Sequence, residues 1–242
     1  MSLITLPSYA EGLSKAYKAF DSGDYPTAIE EFKIFAEQGS ADAQYMLGKI
    51  YEYHGGPDFI KAMKWYKLSA EQGDKYAQFS LGQLYEKGNG VSQNYEEAIK
   101  WYQKSAEQED ELAQFSLGLM YFYGRGISYS SQNAFKHIRR SALNGFAPAQ
   151  DYLGYMYSNG KGVRADKKKA LQWYRVAFKN GHKEAKPEIN KLIKNGYDAV
   201  PLCVKFCDKR FWRTVNRKNK LSELKNLDIT QRTDRGESIL HS

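Results

Sequence analysis

The stretch Ala41-Asp42-Ala43-Gln44-Tyr45-Met46-Leu47-Gly48-Lys49-Ile50-Tyr51 decides the fold, because close copies of it begin again at Lys75, Glu111 and Ala147. The pairs Ala43-Gln44, Ala77-Gln78, Ala113-Gln114 and Ala149-Gln150 are spaced by 34, 36 and 36 residues, and Leu47-Gly48, Leu81-Gly82, Leu117-Gly118 and Leu153-Gly154 keep the same step. A period of that length signals an array of supersecondary units that bury their apolar faces on one another. Within the phrase, Ala43, Leu47 and Tyr51, then Ala77, Leu81 and Tyr85, recur at i, i+4 and i+8, one face of a helix. The glycine inside that helix costs about 1 kcal/mol relative to alanine. Its recurrence therefore predicts close approach of a paired helix. The helix stops at Gly88-Asn89-Gly90-Val91, Gly124-Arg125-Gly126-Ile127 and Gly160-Lys161-Gly162-Val163. Glycine there permits positive φ, and the Val or Ile that follows can plug the turn onto the core.

A second helix follows each turn, with Ala62, Trp65, Tyr66 and Ala70 matched by Ala98, Trp101, Tyr102 and Ala106. The third copy drifts, placing His137 for Trp and Ile138 for Tyr; the fourth restores Trp173 and Tyr174 but has Phe178 at the small position that Ala142 keeps. Gly73, Gly145 and Gly181 end these helices, and Glu109 departs from the rule. The first clear unit is two residues short at its turn, His54-Gly55-Gly56-Pro57. Residues 9–40 read as a degenerate unit with an eroded first helix, keeping the turn Gly23-Asp24-Tyr25-Pro26, the stripe Ala28, Phe32, Phe35, Ala36 and the ending Ala36-Glu37-Gln38-Gly39.

This pattern, Ala-x-Ala-Gln-x-x-Leu-Gly-x-x-Tyr, a glycine turn and then Ala-x-x-Trp-Tyr, resembles the Sel-1-like repeat, a relative of the tetratricopeptide repeat, over about residues 9–196. The resemblance implies an all-α fold, a right-handed α/α superhelix of about five helix-turn-helix repeats. The expected organisation is a lead over 1–8, the degenerate repeat over 9–40, four repeats over 41–182 and a capping helix over 183–196 with Ala185, Ile189 and Leu192 inward. A basic helical extension over 197–220 follows, with Val200, Cys203, Val204, Cys207, Phe211 and Val215 on one stripe, and then a polar tail over 221–242 expected to be disordered.

Composition narrows the function. Apolar residues make up 42% and aromatics are abundant, with 19 Tyr, 12 Phe and 4 Trp, and no apolar run approaches the ~20 residues that span a bilayer. A soluble chain is expected. The formal charge is +8; residues 183–242 hold 14 Lys plus Arg against 8 Asp plus Glu, which leaves 22 against 20 before them. A basic end can attract an anionic membrane or nucleic acid, and Lys205, Lys209, Arg210, Arg213, Arg217, Lys218 and Lys220 are the residues that would tether it. Without aromatic interleaving or a nucleic-acid motif, direct nucleic-acid binding is not the reading favoured. Cys203 and Cys207 lie outside the repeats, so no disulfide framework staples the array. As written, the chain reads as cytoplasmic. Ser8-Tyr9-Ala10 resembles the end of a secretory signal, so a lost upstream segment would make it periplasmic or secreted.

Chemistry-bearing patterns yield to plainer readings. The Gly-x-Gly turns at 88, 124 and 160 follow no strand and precede no Gly-Lys-Ser or Gly-Lys-Thr, so they are turns rather than phosphate cradles. His54, His137, His182 and His241 show no zinc-ligand spacing, and His137, in a Trp place, reads as packing. No nucleophile elbow or catalytic carboxylate pair stands out, and no cofactor is implied. Cysteine-rich Sel-1-like proteins, for which penicillin-binding and β-lactamase activity has been proposed, staple each repeat with a cysteine pair that is missing here.

Surface recognition remains. The resemblance implies a concave face lined by first helices, and by analogy with tetratricopeptide repeats its ligand-facing sites are the second, fifth, sixth, ninth, twelfth and thirteenth of each unit. The third repeat places Leu112, Phe115, Ser116, Leu119, Phe122 and Tyr123 there, where its siblings show Lys49, Glu52, Gln83, Glu86 and Lys87 at the later sites. An apolar patch in a groove marks an interaction site. The partner-binding candidates are therefore Tyr45, Phe79, Phe115, Leu119, Phe122, Tyr123, Tyr152 and Tyr155, and the expected function is a non-enzymatic scaffold binding a peptide or protein segment. Met46, Ser80, Ser116 and Tyr152 hold the place of the asparagine that clamps carboxylates in some tetratricopeptide domains, which argues against a C-terminal carboxylate ligand.

Overall fold

The computed structural model describes residues 9–54 and 56–197. The expected extension over 197–220 and tail over 221–242 lie outside the described residues from 198 onward, as do both cysteines and the basic residues 205–220. The described residues are helical throughout, with no strand among them. Ten helices of 13 residues each alternate along the chain: α1 (Tyr9–Asp21), α2 (Tyr25–Glu37), α3 (Ala41–Tyr53), α4 (Phe59–Glu71), α5 (Lys75–Lys87), α6 (Tyr95–Glu107), α7 (Glu111–Tyr123), α8 (Ser131–Leu143), α9 (Ala147–Asn159) and α10 (Lys167–Lys179). A 3-10 turn, Lys183–Ala185, then leads into α11 (Lys186–Leu192) and a wider turn, Ile193–Tyr197.

Two compact units divide the chain, residues 1–110 and 111–242. Their charges are opposite: residues 1–110 hold 11 Lys plus Arg against 17 Asp plus Glu, whereas residues 111–197 hold 15 against 5. Near neutrality over the repeats thus conceals an acidic unit and a basic one.

The helix ends explain the shared length of the first ten helices. Side chains of Asp24, Ser40, Asp58, Asp74, Asn94, Ser130 and Asp166 each accept a hydrogen bond from the backbone N–H three residues on, a cap that contributes about 1 kcal/mol. Inside each hairpin the capping residue's own N–H reaches back to the tyrosine near the end of the first helix: Asp58 to Tyr51 O (2.8 Å), Asn94 to Tyr85 O (2.9 Å), Ser130 to Tyr121 O (3.0 Å) and Asp166 to Tyr157 O (2.8 Å). The shorter turn in the hairpin of α3 and α4 closes with the same bond. Between hairpins, glycines take the left-handed conformation at Gly39, Gly73, Gly145 and Gly181, with φ from 95° to 99°. Glu109 occupies the corresponding place with φ 61°, the only non-glycine at positive φ among the described residues.

The glycine within each first helix does what its recurrence predicts. A Cβ on Gly48 would lie 2.4 Å from the ring of Tyr66, on Gly82 2.7 Å from Tyr102, on Gly118 2.4 Å from Ile138 and on Gly154 2.8 Å from Tyr174. The second-helix side chain lies flat on bare backbone, and Tyr66, Tyr102 and Ile138 are fully buried. The repeated glutamine also has a structural role. Its Nε2 donates to the last-turn carbonyl of the preceding helix, from Gln44 to Ala36 O (2.9 Å), Gln78 to Ala70 O (3.1 Å) and Gln150 to Ala142 O (3.1 Å). Its Oε1 accepts from the end of the following helix, from Gln72, Gln108 and Asn180. One buried amide thus joins three consecutive helices and satisfies a carbonyl that has no partner within its own helix.

The first helix of the degenerate repeat is not eroded in length. α1 has 13 residues. Ala16, fully buried, stands where the siblings carry glycine, opposite Phe32 instead of tyrosine, so the motif changed while the helix stayed. The capping element buries Ala185, Ile189 and Leu192 as its spacing predicts, but Pro187 near its start leaves a 3-10 turn ahead of a seven-residue helix. Phe178, at the small position of α10, is 40% exposed instead of entering the core.

His137 is a packing residue. Its ring stacks on Tyr121, with centroids 5.6 Å apart and planes 9° off parallel, and its Nδ1 lies 2.9 Å from Oε1 of Gln114. Burial first, and then the charges of Lys136 and Arg140, hold its pKa down to about 4. In the unfolded chain the imidazole takes up a proton below pH ~6.5. Its contribution to stability is therefore complete above pH 6.5 and is lost as pH falls from there toward 4, at no more than about 1.4 kcal/mol per pH unit.

Three measurements check this account. Gly82→Ala should lower stability by about 1–3 kcal/mol in chemical denaturation, because overpacking against Tyr102 outweighs the ~1 kcal/mol gain in helix propensity. Glu109→Gly should raise the melting temperature, since a left-handed non-glycine residue costs about 1–2 kcal/mol. Between pH 7.5 and 5 the melting temperature should fall less in His137→Gln than in the parent protein; equal falls would remove His137 as the cause.

Candidate functional site

The unit of residues 111–197 contains an open groove of about 620 Å³. One wall comes from Phe122 and Tyr123 at the end of α7 and from Tyr152 and Tyr155 on α9; Tyr174 of α10 also lines it, and Glu184, Glu188 and Lys191 from the 3-10 turn and α11 complete it. The rings form one cluster. Phe122 meets Tyr123 at 5.2 Å, Tyr152 at 5.3 Å and Tyr155 at 6.2 Å between centroids, each edge to face. Edge-to-face packing of this kind contributes about 0.5–1.5 kcal/mol per pair beyond burial. The Tyr152 hydroxyl donates to that of Tyr123 at 3.2 Å, and Arg125 lies over the Tyr123 ring at 5.1 Å. Tyr123 and Tyr155 nevertheless stay 54% and 38% exposed.

The expected site residues divide between the two units. Phe122, Tyr123, Tyr152 and Tyr155 line the groove. Phe115 supports it from below, packed against Tyr152 (6.0 Å) and Phe146 (5.4 Å) and half-buried in the core of its unit. Leu119 is half-buried on the same helix but is not part of the groove lining. Tyr45 and Phe79 belong to residues 1–110 and pack within that unit, Tyr45 against Tyr66 and Tyr76 at 5.8 and 5.9 Å and Phe79 against Tyr102 at 5.6 Å. Burial above all pushes the Tyr45 phenol up to about 12.

The contrast between Phe122 and its charged siblings has a different origin from the one expected. The twelfth site is buried or half-buried in the other repeats. Glu52 is 4% exposed and accepts from the Tyr66 hydroxyl at 2.8 Å, and Glu86 accepts from Tyr102 at 2.6 Å. In the third repeat Phe122 and Ile138 replace that glutamate–tyrosine pair together, exchanging a buried hydrogen bond for an apolar contact. In the fourth, Ser158 stands at the glutamate place and its Oγ accepts from Lys167 at 2.9 Å. The Tyr174 hydroxyl is thereby left without a hydrogen-bond partner among the described residues, on a side chain 2% exposed that lines the groove. Burial, and then the carboxylates of Glu188 and Asp151, raise its pKa.

The acidic members were not found from sequence. Asp151, Glu184 and Glu188 line the groove. Asp151 lies 3.8 Å from His182 Nε2, His182 Nδ1 lies 3.4 Å from Glu184, and Glu188 pairs with Lys191 at 3.4 Å. Burial raises the Asp151 carboxyl above its usual range despite the opposing pull of His182. The signal that would have found these residues is the same set of ligand-facing sites carried one unit further: Asp151 is the fifth of the fourth repeat, and Glu184, Glu188 and Lys191 are the second, sixth and ninth counted from Lys183.

Comparison with known proteins follows this geometry. A sequence model of the Sel1 repeat matches residues 41–74, 75–110, 112–146 and 147–182. No curated protein matches the chain. The crystal structure of a Sel1 repeat protein from Oxalobacter formigenes superposes with a TM-score of 0.71 at 28% identity, over 85% of this chain and 84% of that one. A Sel1 repeat protein from Klebsiella pneumoniae superposes at 0.51 and 22% identity, over 76% and 97% respectively, which shows a shared fold. Four successive matches spanning more than half of the residues, on an all-helical stack of hairpins, make the chain a member of the Sel1 repeat family.

Proposed function

We propose that this protein is a non-enzymatic scaffold that holds a peptide or protein segment against the first-helix face of residues 111–197. Sel1-repeat proteins commonly serve as protein-interaction scaffolds and generally bind protein partners. The observation that carries the reading is the ring cluster of Phe122, Tyr123, Tyr152 and Tyr155, which stays open to solvent in a groove of about 620 Å³ although its members pack on one another. Rigid aromatic anchors beside a pocket are the usual centre of a binding hot spot. Rings already fixed by edge-to-face contacts have little side-chain entropy left to lose on binding.

Tyr123 and Tyr155 test the reading better than the buried members do, because their exposed edges can be removed without opening the core. Tyr123→Ser with Tyr155→Ser should lower partner recovery from extract, followed by mass spectrometry, about tenfold or more, with the melting temperature unchanged within a few degrees. Undiminished recovery from the folded double variant would remove the groove as the binding site.

A further inference from the structure

We infer that the groove takes the cationic head of a lysine or arginine side chain, presented by a partner segment whose flanking residues are neutral or acidic. This rests on the groove being a peptide site and adds its chemistry. Residues 111–197 contain only five carboxylates among 15 Lys plus Arg, yet three of the five, Asp151, Glu184 and Glu188, line this one groove. The local sign of charge is thus inverted within a basic unit.

Glu188 is compensated by Lys191, and Glu184 lies 3.4 Å from His182 Nδ1 with its side chain largely exposed. Among the described residues Asp151 meets only His182, at 3.8 Å, beyond hydrogen-bond length. The groove's other cation, Lys167, is committed to Ser158 Oγ at 2.9 Å. Tyr174 adds a hydroxyl on a side chain 2% exposed, without a partner among the described residues. Its counterparts Tyr66 and Tyr102 donate to glutamates. Serine in the glutamate place frees the O–H of Tyr174 to donate to a carbonyl of a bound segment, while its oxygen lone pairs can accept an N–H from the same ligand.

A cationic head matches every element of this lining. It pairs with Asp151, donates to the Tyr174 oxygen and lies against ring faces that attract cations. A ligand carboxylate beside Asp151 and Tyr174 would meet an acid there, in a lining of three carboxylates and two lysines, Lys167 and Lys191. A purely apolar insertion would strip water from Asp151 and Tyr174 and replace it with nothing. A polybasic segment would be repelled by the balance of 15 cations to 5 anions over residues 111–197 as a whole, which selects a single basic residue between non-basic flanks and argues against the chain's own segment 205–220, with 7 Lys plus Arg.

Calorimetric titration of the full chain with the capped peptide Glu-Leu-Lys-Leu-Glu, and with its Gln-centred counterpart, tests the inference. The Lys peptide should bind at least tenfold tighter. Asp151→Asn and Tyr174→Phe, both conservative in shape, should each cut that preference to threefold or less. Equal binding of the two peptides would overturn the cationic assignment and leave the groove as a peptide site. Binding of neither peptide would overturn the assignment too, and unchanged partner recovery in the Tyr123/Tyr155 double variant would then remove the groove itself. Tighter Lys-peptide binding once the seven basic residues of 205–220 are changed to Gln would show that the chain's own segment occupies the groove, which also overturns it.

Discussion

The contact on which three of the hairpins depend is a tyrosine ring laid on bare backbone. At Gly48, Gly82 and Gly154 there is no room for a Cβ, because a tyrosine of the facing helix occupies that space. Close approach brings the two helices near enough for the rest of the unit to form. Serines at the end of the second helix then reach the first carbonyl of the first helix, from Ser69 to Ala41 O (2.8 Å), Ser105 to Lys75 O (2.9 Å) and Ser141 to Glu111 O (2.6 Å). The hairpin is closed at both ends, by the serine at one and by the tyrosine carbonyl bond at the other. In arrays of this kind each unit relies on its nearest neighbours, and the buried glutamine amide is the polar part of that reliance.

Because the inside of the repeat is so constrained, variation inside it is informative. The third and fourth repeats both give up the buried glutamate–tyrosine bond, in different ways. Phe122 with Ile138 makes the site apolar and adds a ring to the surface cluster; Ser158 with Tyr174 leaves a hydroxyl without a hydrogen-bond partner among the described residues beside it. A buried tyrosine hydroxyl ordinarily finds a partner. Two neighbouring departures from the repeat rule thus meet in one groove.

The pattern of hairpins was legible in the residues. The recurring glycine announced a close approach, the Gly-x-Gly turns announced positive φ, and Ala185, Ile189 and Leu192 announced an inward face in the capping element. The role of the repeated glutamine was not legible. Its two partners lie 8 residues before it and about 28 to 30 after it, and nothing in local spacing distinguishes a buried linking amide from an exposed one. The intact α1 was equally hidden, because burial of Ala16 opposite Phe32 replaces a motif with a pair that has no signature.

Sequence by itself determined that this chain is a stack of helix pairs of the Sel1 type, since period, glycine placement and capping are local and repeat in every unit. It also pointed to the aromatic run of the third repeat. Only tertiary structure decided which of those rings form a surface and what surrounds them. Tyr45 and Phe79 pack within residues 1–110, the twelfth site turned out to be a core position in two repeats, and the acids of α9 and the capping element line the same groove as the rings of α7. The reason is physical: helical periodicity assigns a residue to a face, whereas the chemistry of a groove depends on which side chains from different helices converge there.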